Sequence, residues 1–420
     1  MRYCKHTQWL SLAVNDGDVL LQNTDRLQTL LEDLPDPDEQ SPSLFVFIGN
    51  RSKAMAIKEL AKTFSPPPRY GRDSSCQSQH DDESSWRGQT KLNGRRAHGE
   101  IHLHIHAPST FSSRPILLAE GDLPNLDKSR VLATEKCHET ASRPLNARTL
   151  TTPTLSESAD KIYFRLLSPF TDVFCFFADD VGKLKPIVQR LALWLDLGQP
   201  STLPKSTHPK VLIVIERDED VQGDGESDLT AFKQMLSEET TMDVSEQFSD
   251  IRILSLAARN KDLSNKARHR ELFEHLLNFS DQVREARVRT QTLFSAHHFA
   301  AFFHYALAHV AATSVEPFNF ISASRIENPV TGNLRDHLVE FLHNIKTPQK
   351  LLQFAIPIIA SSFLLDAYPP DMHCKFIVIP QHWLIDVQYS TLPKSSVPFT
   401  KRYAIKSAAP GSSPTKGRPT

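Results

Sequence analysis

The chain has 420 residues, 40% of them hydrophobic and 23% charged, with a net charge of −1. This is ordinary globular composition, long enough for two or three domains, and its near-neutral charge gives no bias toward nucleic acid or an anionic membrane. The five cysteines are odd in number, scattered and never spaced C-x-x-C, which argues against a disulfide framework or a cysteine zinc site and fits a reducing, cytoplasmic location.

The N-terminal apolar stretch is too short for a signal-peptide core. The longest apolar run, Phe354 to Leu365, contains Pro357 and falls far short of the ~20 residues that span a bilayer, so no membrane span is expected. Residues 1–40 read as an N-terminal helical extension, because Leu27, Leu30, Leu31 and Leu34 recur at helical spacing ahead of Pro35 and Pro37.

Residues 41–260 alternate between strand and helix patterns. Leu44–Ile48 is a continuous apolar run, followed by Gly49-Asn50 and a helical stretch from Lys53 to Phe64. Residues 65–98, rich in Pro and Ser and poor in aliphatics, read as a flexible insertion, and 124–158 as a second one. Between them, Ile101–Ile105 and Pro115–Ala119 predict an antiparallel pair. Then come a helix at 161–167, a strand at 172–177, a helix at 183–197, a strand at 210–215, a helix at 229–236 and a strand at 251–256. The pattern predicts an α/β domain laid out like a P-loop NTPase, with a mostly parallel six-stranded sheet and flanking helices. Residues 261–373 read as a helical region, with helices at 263–278, 281–312, 333–346 and 350–366 and a shorter one near 317–324. Leu351, Leu352, Ala355, Ile356, Ile359, Phe363 and Leu364 predict a buried face on the last long helix, with Pro357 as a kink or restart. Residues 374–420 read as an aberrant or disordered tail.

Gly49 follows an apolar strand, where a phosphate loop G-x-x-x-x-G-K-[ST] would begin. Counted from Gly49, the second glycine falls on Ala54, the lysine on Met55 and the hydroxyl on Ala56, so all three chemical positions are lost. Lys53 lies two residues early and is the one cation that an atypical nucleotide loop could reuse. After the strand at 210–215, Asp218 stands where a guanine-reading carboxylate would, without the Asn/Thr and Lys that precede it. Gly49, Lys53 and Asp218 therefore form the candidate site, a degenerate nucleotide site. His102 and His104 alternate on one strand face and form a possible zinc pair, opening a metal-hydrolase alternative; no further ligand lies at a typical spacing. The more ordinary reading of the two is a solvated strand face. The histidines at 297, 298, 304 and 309 read as margins of a core helix. Asp179-Asp180 follows a strand, as a site pair or as the acidic first turn of a helix. No G-x-S-x-G is present, and no catalytic residue, metal ligand or cofactor is assigned.

Several segments together resemble the N-terminal region of fungal patatin-like phospholipases (lysophospholipase-like proteins). They are Asp172–Asp180, Ser201–Ser206, Phe294–Phe303, Glu316-Pro317-Phe318, Ala355–Asp366 and Tyr368–His373. The resemblance implies a GTPase-like module ahead of a patatin catalytic domain with a Ser–Asp dyad; no serine elbow is present here to carry that activity. What it implies for this chain is a non-catalytic regulatory or interaction module with its phosphate loop lost and an unknown protein partner. The alternative is a GTP-binding switch using Lys53. The resemblance ends at His373, and the rest reads as a truncation or gene-model artefact.

Overall fold

A computed structural model of the protein describes residues 7–15, 18–63, 99–122, 140–145, 154–217, 225–257, 265–313, 315–326 and 332–367. The chain divides into two compact units, Met1–Pro329 and Val330–Thr420.

Nine strands of the first unit form one sheet: β1 (Gln8–Asn15), β2 (Asp18–Thr24), β3 (Ser43–Ile48), β4 (Ile101–Ile105), β5 (Ile116–Gly121), β6 (Thr140–Pro144), β7 (Thr171–Phe177), β8 (Lys210–Arg217) and β9 (Asp250–Ala257). Their order is β6-β2-β1-β4-β5-β3-β7-β8-β9. The pairings β6–β2, β2–β1, β1–β4 and β4–β5 are antiparallel. Those of β5–β3, β3–β7, β7–β8 and β8–β9 are parallel. The expected six-stranded, mostly parallel P-loop sheet is therefore corrected to a nine-stranded mixed sheet, half of whose pairings are antiparallel.

The added strands explain the difference. Residues 8–15 and 18–24 are paired antiparallel strands of the sheet, not part of a helical extension, and α1 (Arg26–Glu32) is only seven residues long. Asp16-Gly17 between two apolar runs is a hairpin signal that the leucine spacing further on obscured. Strand β6 lies inside the segment read as an insertion. It is a polar, largely exposed edge strand, and only its pairing with β2 makes it one. The insertion at 65–98, the tail at 374–420 and most of 124–153 lie outside the described residues.

The helices of this unit continue with α2 (Arg51–Thr63), α3 (Leu155–Lys161, running into a π-helical turn at Ile162–Leu167), α4 (Ala178–Val181), α5 (Leu184–Asp196), α6 (Gly225–Glu239), α7 (Asn265–Arg289), α8 (Ala296–Ala312) and α9 (Phe320–Ser324). Successive residues of the central strands feed opposite faces. Leu44, Val46, Ile48, Phe174 and Phe176 pack with α5 and α8, while Phe45, Phe47, Val173 and Cys175 pack with α2 and α7. Burial on both faces is why 44–48 contains no polar residue. Helices α7 and α8 are thus built onto the sheet, and the division between units falls after Pro329 rather than at 260.

A buried polar latch closes the strands' N-terminal ends. Asp172 accepts from Arg287 Nη1 at 2.6 Å and from Ser280 Oγ at 2.5 Å, tying α7 to β7, and Ser280 also reaches Ser43 Oγ at 3.2 Å.

In the second unit, α10 (Leu334–His343) precedes a helical run made of Pro348–Lys350, a π-helical turn at Leu351–Ala355 and α11 (Ile356–Ala367). Pro357 stands one residue into α11, directly after the π-helical turn, and the run is helical through it. Among the described residues of the expected buried face, only Ala355 is buried and Ile359 is half-buried. Leu351, Leu352, Phe354 and Ile356 are exposed, and Ala355 alone is buried among residues 351–362. Periodicity reports the spacing of apolar side chains, not what covers them.

His106 is packed against the Phe273 ring at 5.5 Å, and burial lowers its pKa from 6.5 to about 4. A histidine whose pKa is lower in the folded state stabilises the fold above its unfolded value, and that contribution is lost as pH falls through the window. Stability is therefore expected to fall between about pH 6.5 and pH 4 by roughly 1.4 kcal/mol per pH unit from this residue. Thermal denaturation of the protein and of His106→Gln across that range checks it: the variant's curve should be the flatter, and parallel curves would contradict the assignment.

Candidate functional site

Strand β3 delivers the chain to Gly49 at the C-terminal end of the sheet's parallel half, and α2 starts two residues later. The first N–H groups of a helix have no partner inside it, and the helix dipole adds partial positive charge, so this is where an anion is favoured. Here that place is taken by a carboxylate of the same chain. Asp180 Oδ2 accepts from the backbone N–H of Asn50 at 2.7 Å and of Lys53 at 2.9 Å, and Oδ1 accepts from Ser52 N–H at 2.9 Å.

Asp180 reaches this point because β7 lies beside β3 and α4 begins as β7 ends. The approach also explains Gly49. Its φ is +155°, and a Cβ there would lie 2.8 Å from Asp180 Oδ2 and 3.0 Å from Phe177 Cβ. The neighbouring Asp179 makes a second tie: its Oδ2 accepts from the backbone N–H of Glu216 near the end of β8 at 2.9 Å, while Lys183 pairs with its other oxygen. Two consecutive carboxylates thus fasten the turn after β3 and the end of β8 to the end of β7.

Lys53 does not face that anion position. Its side chain is 4% exposed as part of the residue and runs to the end of β5, where Nζ donates to Gly121 O at 2.9 Å and lies 3.8 Å from Glu120 Oε2. Gly121 O also accepts from Gly49 N–H at 3.2 Å. A side chain at Gly121 would overlap the Tyr163 hydroxyl, so this carbonyl is held by packing as well. Glu120 Oε1 is in turn 2.9 Å from His104 Nε2. The ammonium is therefore a structural cation within the protein.

The structure brings Gly49 and Lys53 together on one acceptor, the Gly121 carbonyl, which takes the glycine's N–H and the lysine's ammonium. Asp218 lies outside the described residues. His102 pairs across the sheet with Glu120, and its ring nitrogens meet Thr7 Oγ1 at 3.0 Å and Glu100 Oε2 at 3.4 Å. His102 and His104 are each held by protein groups, and among the described residues no three His, Cys, Asp or Glu side chains are placed to hold a metal ion. The histidines at 297, 298, 304 and 309 lie on α8, whose Phe299, Phe303, Ala306 and Leu307 are buried. Sequence reasoning missed the destination of Asp180. The residue is an acidic helix-start residue, yet the amides it satisfies belong to a helix 127 to 130 positions away.

The chain matches no protein-family model and no curated protein. Among the described residues, no helix is long and apolar enough to cross a membrane.

Removing the Lys53 ammonium leaves the buried Glu120 carboxylate without its neighbouring cation. Breaking a buried pair on one side costs about 3 kcal/mol or more, which at roughly 2 °C per kcal/mol is a fall of about 6 °C or more in melting temperature. Lys53→Ala is expected to show that loss, and Lys53→Met combined with Glu120→Gln to recover most of it. A Lys53→Ala protein as stable as the parent would contradict the structural role.

Proposed function

We propose that this chain is a non-catalytic regulatory or interaction module in which the anion position after β3 is filled permanently by the protein's own Asp180. The observation that carries this reading is the set of three backbone N–H bonds to one carboxylate. A phosphate entering there must displace Asp180 from all three. It also gains nothing from Lys53, whose ammonium is spent on Gly121 and Glu120. The resemblance to the region ahead of patatin-type catalytic domains supports the same reading, with a protein partner as the object of regulation.

The magnitudes favour self-occupation. Charge-assisted hydrogen bonds are worth about 1.5–3 kcal/mol each. Losing the lysine and Mg²⁺-hydroxyl contacts and displacing Asp180 together cost several kcal/mol, and each 1.4 kcal/mol is about tenfold in affinity. Micromolar nucleotide binding becomes millimolar or weaker. Titration calorimetry of the full chain with GTP and with ATP, each with Mg²⁺, is expected to give no dissociation constant below about 1 mM. A micromolar value for either nucleotide would overturn the proposal in favour of a working switch.

A further inference from the structure

At the opposite end of the sheet from Asp180 lies a cavity of about 230 Å³ that none of the foregoing explains. It opens where the short helical turn at Lys205–Thr207, the start of β8, the residue before β9 and the last turns of α7 meet. Its polar lining is Ser206, Lys210, Ser249, Gln282, Arg289 and Thr290, and the rest is aliphatic. Two cations, three hydroxyls and an amide line it, and no carboxylate does.

Both cations are only loosely paired. Lys210 Nζ is 3.6 Å from Asp250 Oδ2 and stands 5.1 Å from the Phe279 ring centroid; Arg289 Nη2 is 3.6 Å from Glu285 Oε1. Tight charge-assisted contacts lie near 2.7–2.9 Å, so either cation can shift onto an incoming anion without breaking a close bond. Burial pulls the Lys210 ammonium below the usual lysine range, and a negatively charged occupant offsets that cost. The carbonyl end of α7, which would repel an anion, is countered by Arg289 in its last turn.

We infer that this cavity binds a small oxyanion: inorganic phosphate, or the phosphate of a small ester. Its volume lies below the roughly 300–1,000 Å³ of sites for drug-sized ligands, which favours a single anionic group over a nucleotide. The Ser206 and Ser249 hydroxyls are placed to donate to the oxygens, while Lys210 and Arg289 supply the charge; the Thr290 hydroxyl donates to Ala286 O and the Gln282 amide to Asn278 Oδ1.

The test is calorimetric titration of the full chain with inorganic phosphate and with glycerol phosphate at low ionic strength. Saturable binding is expected, weakened about tenfold by Lys210→Met and several-fold by Arg289→Gln. Because Lys210 is largely buried, Arg289→Gln, at an exposed position, keeps the result independent of any folding defect. Tighter binding of one ligand identifies the source of the phosphate. Absence of saturable binding to both ligands, or affinities unchanged in both variants, overturns the assignment.

Discussion

Where the Asp180 carboxylate sits decides how the C-terminal ends of three neighbouring strands are built. A helix that starts two residues after a central buried strand presents N–H groups to a narrow space at the sheet's end, and those groups need an acceptor. Water would serve, as would a bound anion. In this chain the acceptor is covalently part of the next strand's exit, so the turn after β3, the first turn of α2 and the end of β7 become one hydrogen-bonded unit. Gly49 follows from it, because no Cβ fits against the Asp180 oxygen. Asp179 extends the unit to β8.

The same segment shows how one cation is reassigned. With the anion position already neutralised by a carboxylate, a lysine amine there would meet a compensated charge. Lys53 instead crosses to Gly121 and Glu120, and Glu120 carries the network on to His104. Buried charges are tolerated only when paired and hydrogen-bonded, and this chain of contacts provides that. At the other end of the strands, Asp172, Arg287, Ser280 and Ser43 do the equivalent work for α7. The hydrophobic strands between are held in register by polar groups at both ends.

Much of the core was legible in the sequence because its signals are local. The unbroken run at 44–48 marks a strand buried on both faces, and the Gly-Asn after it marks the turn. The positions of the strands at 101–105, 172–177, 210–215 and 251–256 were likewise readable. The antiparallel half was not. β6 has no apolar pattern of its own, and the strand pair at 8–15 and 18–24 was outweighed by the leucines of 27–34. The sheet consequently read as six strands when nine are present. The candidate site failed for a related reason: the loss of the phosphate-loop residues could be counted along the chain, whereas their replacement by Asp180 depends on β7 lying next to β3. The apolar spacing at 351–365 was also visible, but the exposure of Leu351, Leu352 and Ile356 is a tertiary property that spacing does not encode.

Amide hydrogen exchange at Asn50, Ser52 and Lys53, compared between the protein and Asp180→Ala, reads the carboxylate's hold on the turn at the three atoms it binds. Two of these amides precede or open the helix and owe their protection to the carboxylate alone, and that of Lys53 shares the same acceptor. Protected amides are expected in the parent and at least about tenfold faster exchange at all three in the variant, with the amides of β3 unchanged. Equal exchange rates at the three positions in the two proteins would contradict that hold.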